Sequence, residues 1–428
     1  MKILINAYAC SPGMGSEPGM AWNWCVHLAK HCELHIITEG EFRDRIEDVV
    51  PTLPQCGNMH FYYNPVTEEV RKMCWNQGDW RFYKYYRKWQ WKTYLMAKEI
   101  CLKENIDILH QLNMIGFREP GYLWKLSEET GIKFVWGPVD AKDKFPLAYA
   151  QGAGLKTRLF LWLKNTITCW QLGHDKRVLA AAKQASVLLG ASSNSVKSFK
   201  KYMGMDSILM NETGCKVIND AFNAYDGDRQ PIIRKPIKTF DILWVGKMDF
   251  RKQLGLALKS IAMAYHEDIR LHVLGGGDAE PYKQMAAGLG IEGNVVWHGA
   301  IPHADVQKLM QKCQLMLFTS VAEGTPHVVL ESIANRLPVV CHDTCGHGDS
   351  VTQEVGVKIP VKNPSESVCM FAEVLEGLYK HPERLASMSN NCIVRSQELS
   401  WDNKAEEMVK LYEEAITSKN TGSQGIKD

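Results

Sequence analysis

Two glutamates, Glu323 and Glu331, flank a Gly-Thr-Pro turn in VAEGTPHVVLES, directly after the apolar run QLMLFTS. A run this short, apolar and turn-bounded reads as a buried strand, while PHVVLESIAN carries apolar residues at helical spacing, so the local order is strand, loop, helix. Thr325 is placed to cap that helix and Pro326 to fill its first position, leaving the N–H groups of His327, Val328 and Val329 for an anion, typically a phosphate. Glu323 then lies in the loop beside the anion, with Gly324 letting the backbone approach it closely, and Glu331 lies on the second helical turn. The two carboxylates cannot share one helical face. As pure acceptors they can take hydroxyls from different parts of one ligand.

A second cluster, Gly246-Lys247 through Arg251-Lys252 in GKMDFRK, follows the strand-like FDILWVG. Taken alone, its cations are as well read as a solvated loop as a grip on a phosphate. Two glycine-rich turns join strand to helix: PGMGSEPG, with Gly13, Gly15 and Ser16, and GGGD, starting at Gly275 after LHVL. His110 ends the strand-like DILH. The Asp-x-Asp of YDGD has the form of a metal motif, but it sits in the polar segment NAYDGDRQPIIRKP and reads as a turn. No metal and no cofactor are expected.

These residues need two cores to position them. At 428 residues the chain is long for one domain. The 45% hydrophobic share, 23% charged share and net charge of +2 exclude a chain-wide nucleic-acid field. Thirteen scattered cysteines without a Cys-x-x-Cys pair fit reduced thiols and a cytoplasmic protein. The opening MKILINAYAC is too short an apolar run for a signal peptide, and no stretch of about eighteen apolar residues could cross a membrane.

Strand-like runs KILINAYA, LHIIT, MHFYY, DILHQL, KFVWGPV and SVLLGAS alternate with helical stretches in the first half; the second restarts at FDILWVG and continues through RLHVLGGG, NVVWHG, LMLFTS and LPVVCHD. This is an α/β pattern of two doubly wound, Rossmann-like domains facing across a cleft. The expected division is 1–218 for the first domain, 219–237 for a linker, 238–398 for the second, 399–418 for a closing helix and 419–428 for a disordered tail.

With these pieces together, the chain resembles the retaining glycosyltransferases of family 4, of GT-B fold. The resemblance rests on Glu323 and Glu331, EGTPHVVLESIANRLPVV, WVGKMDFRKQLGLAL, HVLGGGD and the closing Ser-Trp helix, and more weakly on ACSPGMGSEPGMAW and DILHQLNMIGFREPGYLW, which are similar to bacterial members that build surface polysaccharides. It implies transfer of a sugar from a nucleotide-diphosphate donor to a glycan or lipid-linked glycan. Glu331 would hold the ribose, Glu323 the donor sugar, Lys247 and Lys252 the diphosphate, with Gly15 near the phosphates and His110 on the cleft floor. Lys247 stands where the family more often has Arg, which loses a bidentate contact that Arg251 is placed to restore. The closing helix would cross back to the first domain. A sugar-nucleotide epimerase, a glycan phosphorylase or a non-catalytic sugar-nucleotide or glycan binder would use the same architecture. WRFYKYYRKWQWKTYL, residues 80–95, sets Arg81, Lys84, Arg87, Lys88 and Lys92 in a helical arc of about 140° opposite Phe82, Tyr85, Tyr86 and Trp89. With Trp80 and Trp91 among the cations, it is expected to touch an anionic membrane, at the inner face of the cytoplasmic membrane.

Overall fold

The computed structural model describes residues 1–75, 81–141, 144–150, 152–216 and 239–418. Trp80, the linker 219–237, the Asp-x-Asp of YDGD and the tail 419–428 lie outside them.

Seven strands form the first sheet: β1 Lys2–Ala7, β2 Glu33–Thr38, β3 Met59–Tyr63, β4 Ile108–Asn113, β5 Lys133–Val139, β6 Val187–Gly190 and β7 Ile208–Leu209. Their order is β3-β2-β1-β4-β5-β6-β7, and every pairing is parallel. A parallel sheet carries helices on both faces, so its strands read as apolar runs without alternation. In β1, Ile3, Ile5 and Ala7 enter one core cluster and Leu4 the other.

The second sheet has β8 Phe240–Val245, β9 Ile269–Leu274, β10 Val295–Gly299, β11 Leu315–Phe318, β12 Val339–His342 and β13 Gly356–Ile359, in the order β10-β9-β8-β11-β12-β13. Counted from its own first strand, this is the order of the first sheet's initial six strands. Each sheet therefore has a switch point, β1/β4 and β8/β11, where successive connections leave in opposite directions and loops at the strands' carboxyl ends open a crevice.

The chain divides into two compact units: Met1–Lys142 with Cys169–Glu212 and Trp401–Asp428, and Asp143–Thr168 with Thr213–Ser400. Residues 144–150 and 152–168, which the sequence places with the first domain, cluster with the second unit. The closing helix, Trp401–Thr417, returns to the first unit, as the resemblance implies. Trp401 meets Trp24 edge to face at 5.5 Å, and Met408 and Tyr412 are fully buried in the same core.

In the second unit the ends of β8 and β9 are locked together. Gly246 N donates to Leu274 O, Met248 N to Gly276 O and Gly275 N to Gly299 O, at 2.8–2.9 Å. Gly275 has φ of +136°, and a Cβ there would stand 1.9 Å from Gly246 O. Both the backbone conformation and the space demand glycine. Gly275→Ala is expected to destabilise the second unit by about 1–3 kcal/mol from backbone strain, with a further loss from moving the Gly246 loop. A denaturant melt followed by the fluorescence of the buried Trp244 measures it, and an unchanged midpoint contradicts this account.

Candidate active site

The loops after β8 and β11 are stitched by their backbones. Thr319 Oγ1 donates to Lys252 O at 2.8 Å and accepts from Trp244 Nε1 at 3.1 Å. Val321 N donates to Arg251 O at 3.2 Å. Gln253, at φ +56°, turns the chain into the helix Leu254–Met263.

This framework sets Lys252 against Glu323. The ammonium lies 2.6 Å from Glu323 Oε1, with the two side chains only 17% and 19% exposed. Ser320 Oγ donates to the same oxygen at 2.7 Å, and the Lys252 ammonium stands 5.5 Å from the Phe318 ring centroid. Screening is weaker here than for a surface pair, and the geometry is held from three sides. Lys247 is exposed and has no ion pair among the described residues. Arg251, expected to stand in for a family arginine, is already engaged: Nη2 lies 2.7 Å from Asp249 Oδ2. Burial pushes the Asp249 carboxyl up, but the guanidinium outweighs it and holds the group below the usual carboxylate range.

The helix after the Glu323 loop spans His327–Ala334 and begins one residue later than expected. Pro326 occupies the capping position, and Val329 N is taken by Pro326 O at 3.0 Å, which leaves the N–H groups of His327 and Val328 at the helix start. Thr325 does not cap. It is drawn inward, where a Cβ on Gly346 would meet its Oγ1 at 2.1 Å, while Gly346 N donates to Gly324 O at 3.0 Å. Close packing of the 345–350 helix against the Gly324-Thr325 turn overrides the local capping preference. Glu331 sits on the second turn, as expected, and its Oε1 lies 3.0 Å from His303 Nε2. His303 and Gly346 were not legible as site residues, because each reaches the site from a distant stretch of chain, and Thr319 and Ser320 read only as the end of the apolar run before Glu323. Glu323, Lys252, Lys247, Arg251, Gly246, Gly275, Gly324, Thr325, Pro326, His327, Val328 and Glu331 all belong to loops or helix starts at the carboxyl ends of one sheet. A cavity of about 840 Å³ beside this loop includes Met248, Asp249 and Phe250 in its lining but not Glu323, Lys252 or Glu331.

Gly15 and His110 belong to the first unit. Gly15 caps the helix Ser16–Leu28 with open space where a Cβ would stand, whereas at Gly19 a Cβ would lie 1.8 Å from Met14 O. Beside this loop, Glu17 Oε1 accepts from Ile115 N at 3.3 Å. Burial pushes its carboxyl up to about 7, against that hydrogen bond and with the like charge of Glu212 adding to the rise.

His110 is not a floor residue open to ligand. It is fully buried, with Nε2 2.6 Å from Gly137 O and Nδ1 2.5 Å from Tyr412 Oη. A carbonyl beside Nε2 requires the proton there, so Nδ1 accepts from the tyrosine. Both nitrogens are spent, and burial pulls the imidazole down to about 4 despite the Gly137 carbonyl. The expectation of His110 on the cleft floor is corrected to a structural role.

Residues 228–393 match the family model described as Glycosyl transferases group 1. An uncharacterized glycosyltransferase of Methanocaldococcus jannaschii is 25% identical over 178 residues, 41% of this chain and 45% of that protein. The lipopolysaccharide 1,6-galactosyltransferase of Escherichia coli is 30% identical over 146 residues, 32% of this chain and 40% of that protein. The chain thus spans about half the length of the curated relatives it matches, or somewhat less. Among solved structures, Anabaena HepE in complex with UDP superposes with a TM-score of 0.59 at 15% identity, covering 96% of this chain and 99% of that one.

A histidine lowered from 6.5 to about 4 favours the neutral folded state, so its contribution is complete above pH 6.5 and is lost as pH falls toward 4. Across that window the wild-type first unit is expected to lose about 3 kcal/mol that His110→Gln, already weakened at neutral pH, does not lose. Urea unfolding at stepped pH reads the difference. Parallel pH slopes for the two proteins contradict the buried neutral imidazole.

Proposed function

From a chain of GT-B fold whose residues 228–393 match the group 1 glycosyl transferase model, we propose a retaining glycosyltransferase. It moves one sugar from a nucleotide-diphosphate donor to a hydroxyl of a glycan or lipid-linked glycan in surface polysaccharide biosynthesis. The observation that carries this reading is the Lys252–Glu323 pair at the switch point of the second sheet, beside a helix start with two N–H groups to offer. A diphosphate needs cations and amide donors as it departs, and a sugar needs fixed acceptors for its hydroxyls. Both sets converge there. The UDP held by HepE and the lipopolysaccharide substrate in the name of the E. coli relative support the same assignment.

In the proposed reaction the bond between the anomeric carbon and the diphosphate oxygen breaks, and the acceptor oxygen bonds to that carbon from the same face. The acceptor proton passes to the departing phosphate oxygen. Lys252 turns its N–H donors from Glu323 to the diphosphate, and Lys247 adds an exposed second charge. Glu323 holds donor-sugar hydroxyls, while Glu331 exchanges His303 for the ribose. Developing charge is met by lysines, so the reading needs no metal or cofactor. The reaction takes place in the cytoplasm, at the membrane's inner face when the acceptor is lipid-linked.

A thermal-shift screen of UDP-, GDP-, ADP- and dTDP-sugars tests donor binding, because a ligand of the native state raises apparent stability by mass action. One donor should stand out, and donor hydrolysis would separate an enzyme from a binder. Glu331→Ala is expected to weaken free nucleotide about tenfold to a hundredfold, the value of one charge-assisted hydrogen bond. Glu323→Ala should lower turnover more than nucleotide affinity. Lys252→Ala should lower turnover at least as far, and the double variant less than additively, because each single change strands a half-buried partner. Lys247→Arg should keep or improve activity. Equal effects of the two glutamates on nucleotide affinity, or full activity of Lys252→Ala, would sink this division of roles.

A further inference from the structure

The helix Leu155–His174, LKTRLFLWLKNTITCWQLGH, is turned inside out. Its buried positions are Leu161, Thr168 and Leu172, and they fall within about 40° of one another at 100° per residue. On the opposite side Leu155, Leu159, Phe160, Trp162, Leu163, Ile167 and Trp170 are 45–82% exposed. These seven span an arc of about 160° centred away from the buried positions. The solvent face of this helix is thus its apolar face. Single exposed apolar residues are ordinary, but a contiguous stripe of seven on one helix marks a surface that something covers.

Charge selects the occupant. From Lys144 to His174 there is no aspartate or glutamate, while Lys144, Lys156, Arg158 and Lys164 lie within the run. Lys156, Arg158 and Lys164 are exposed on the helix, and two indoles, Trp162 and Trp170, stand among the exposed apolar side chains. Aliphatic and aromatic bulk toward one side, two indoles within it and cations without any acid fit a bilayer interface rich in anionic headgroups. A second copy of the same face would oppose cation to cation. At 20 residues the helix is about 30 Å long, and it would lie in the interface plane. Among the described residues no helix is apolar enough to cross a membrane.

The basic-aromatic stretch 80–95 offers less. In the helix Phe82–Lys103, Tyr86 and Trp89 are buried, Arg87 is paired with Glu119 at 2.7 Å, and the exposed Trp91 lies against Tyr94 and Tyr122 at ring-centroid distances of 5.0 and 5.3 Å. Its exposed large apolar side chains are Tyr83, Trp91, Leu95 and Leu102.

We propose that the helix Leu155–His174 docks the protein onto an anionic membrane surface through Leu155, Leu159, Phe160, Trp162, Leu163 and Ile167, with Lys156 and Arg158 holding headgroups. This docking is separate from the donor chemistry, and its test does not depend on turnover.

The full chain is floated with vesicles of phosphatidylcholine alone and of phosphatidylcholine mixed equally with phosphatidylglycerol. The wild type should partition at least tenfold better to the anionic vesicles at about 0.1 M salt and lose most of that preference at about 1 M, where the Debye length falls from about 10 to about 3 Å. The variant Leu159→Gln/Phe160→Gln/Trp162→Gln/Leu163→Gln changes only exposed side chains, so its thermal melt should match the wild type while its vesicle binding drops at least tenfold. Lys156→Glu/Arg158→Glu should remove the anionic preference, and Lys84→Glu/Lys88→Glu should leave binding within twofold. The inference is overturned if the wild type binds both vesicles alike, if the four-glutamine variant still binds, or if the 84/88 variant alone abolishes binding. It is also overturned if the wild type ignores vesicles but sediments as a dimer that the four-glutamine variant dissociates.

Discussion

A parallel strand covered on both faces has nowhere to show a polar side chain except at its ends. In both sheets the interior strands are largely buried, and most of their backbone groups are satisfied by neighbouring strands. Chemistry is thereby confined to the loops at the strand ends, and the two switch points are where those loops part widely enough to admit a ligand. In the second unit the consequence is concrete. The Gly246 and Gly275 loops close on each other, and the Thr319 hydroxyl holds the Lys252 carbonyl. Lys252 is thus presented by backbone, not by the preferences of a flexible side chain, and Glu323 meets it from a loop tied to the same stretch.

Much of this was legible because the responsible signals are local. Apolar runs bounded by glycine and proline marked β1 to β6 and β8 to β12, and the Glu323–Glu331 spacing placed one carboxylate on a loop and the other on a helix, as found. Strand β7 was missed because it has only two residues, and β13 because a glycine and a lysine among the four residues of GVKI break the apolar run. The reading failed where a distant stretch decides the outcome. DILH marked a strand end, but nothing near His110 tells that Tyr412 arrives from some three hundred residues later to occupy its ring. Thr325 is a good cap by type, but Gly346 lets another helix press on it and draws it inward. The 155–174 helix escaped notice for a different reason: its inward stripe has only three buried positions, and the apolar residues that repeat most face the other way.

The family match fits this picture because it covers the unit in which the site's loops are stitched most tightly. Residues 228–393 hold every site residue of the second unit. The first unit carries a carboxyl poised near neutrality at Glu17, beside the glycine-rich loop and away from any strand interior. Acceptor choice, on the proposed reading, is a matter for loops of this kind. Composition and periodicity say little about loop shape.

The pairing of Lys252 with Glu323 also bears on what the resting site ignores. Taken together the two side chains carry no net charge, so a free phosphate gains little long-range attraction from them. An anion that captured the ammonium alone would leave the carboxylate stranded and only partly hydrated. A ligand offering hydroxyls without an anion would meet a carboxylate already occupied. On the donor reading, only a molecule carrying both an anion and hydroxyls at the right separation satisfies the two halves at once. The pair then behaves as a coincidence detector, one that filters fragments of the donor from the donor itself before any chemistry begins.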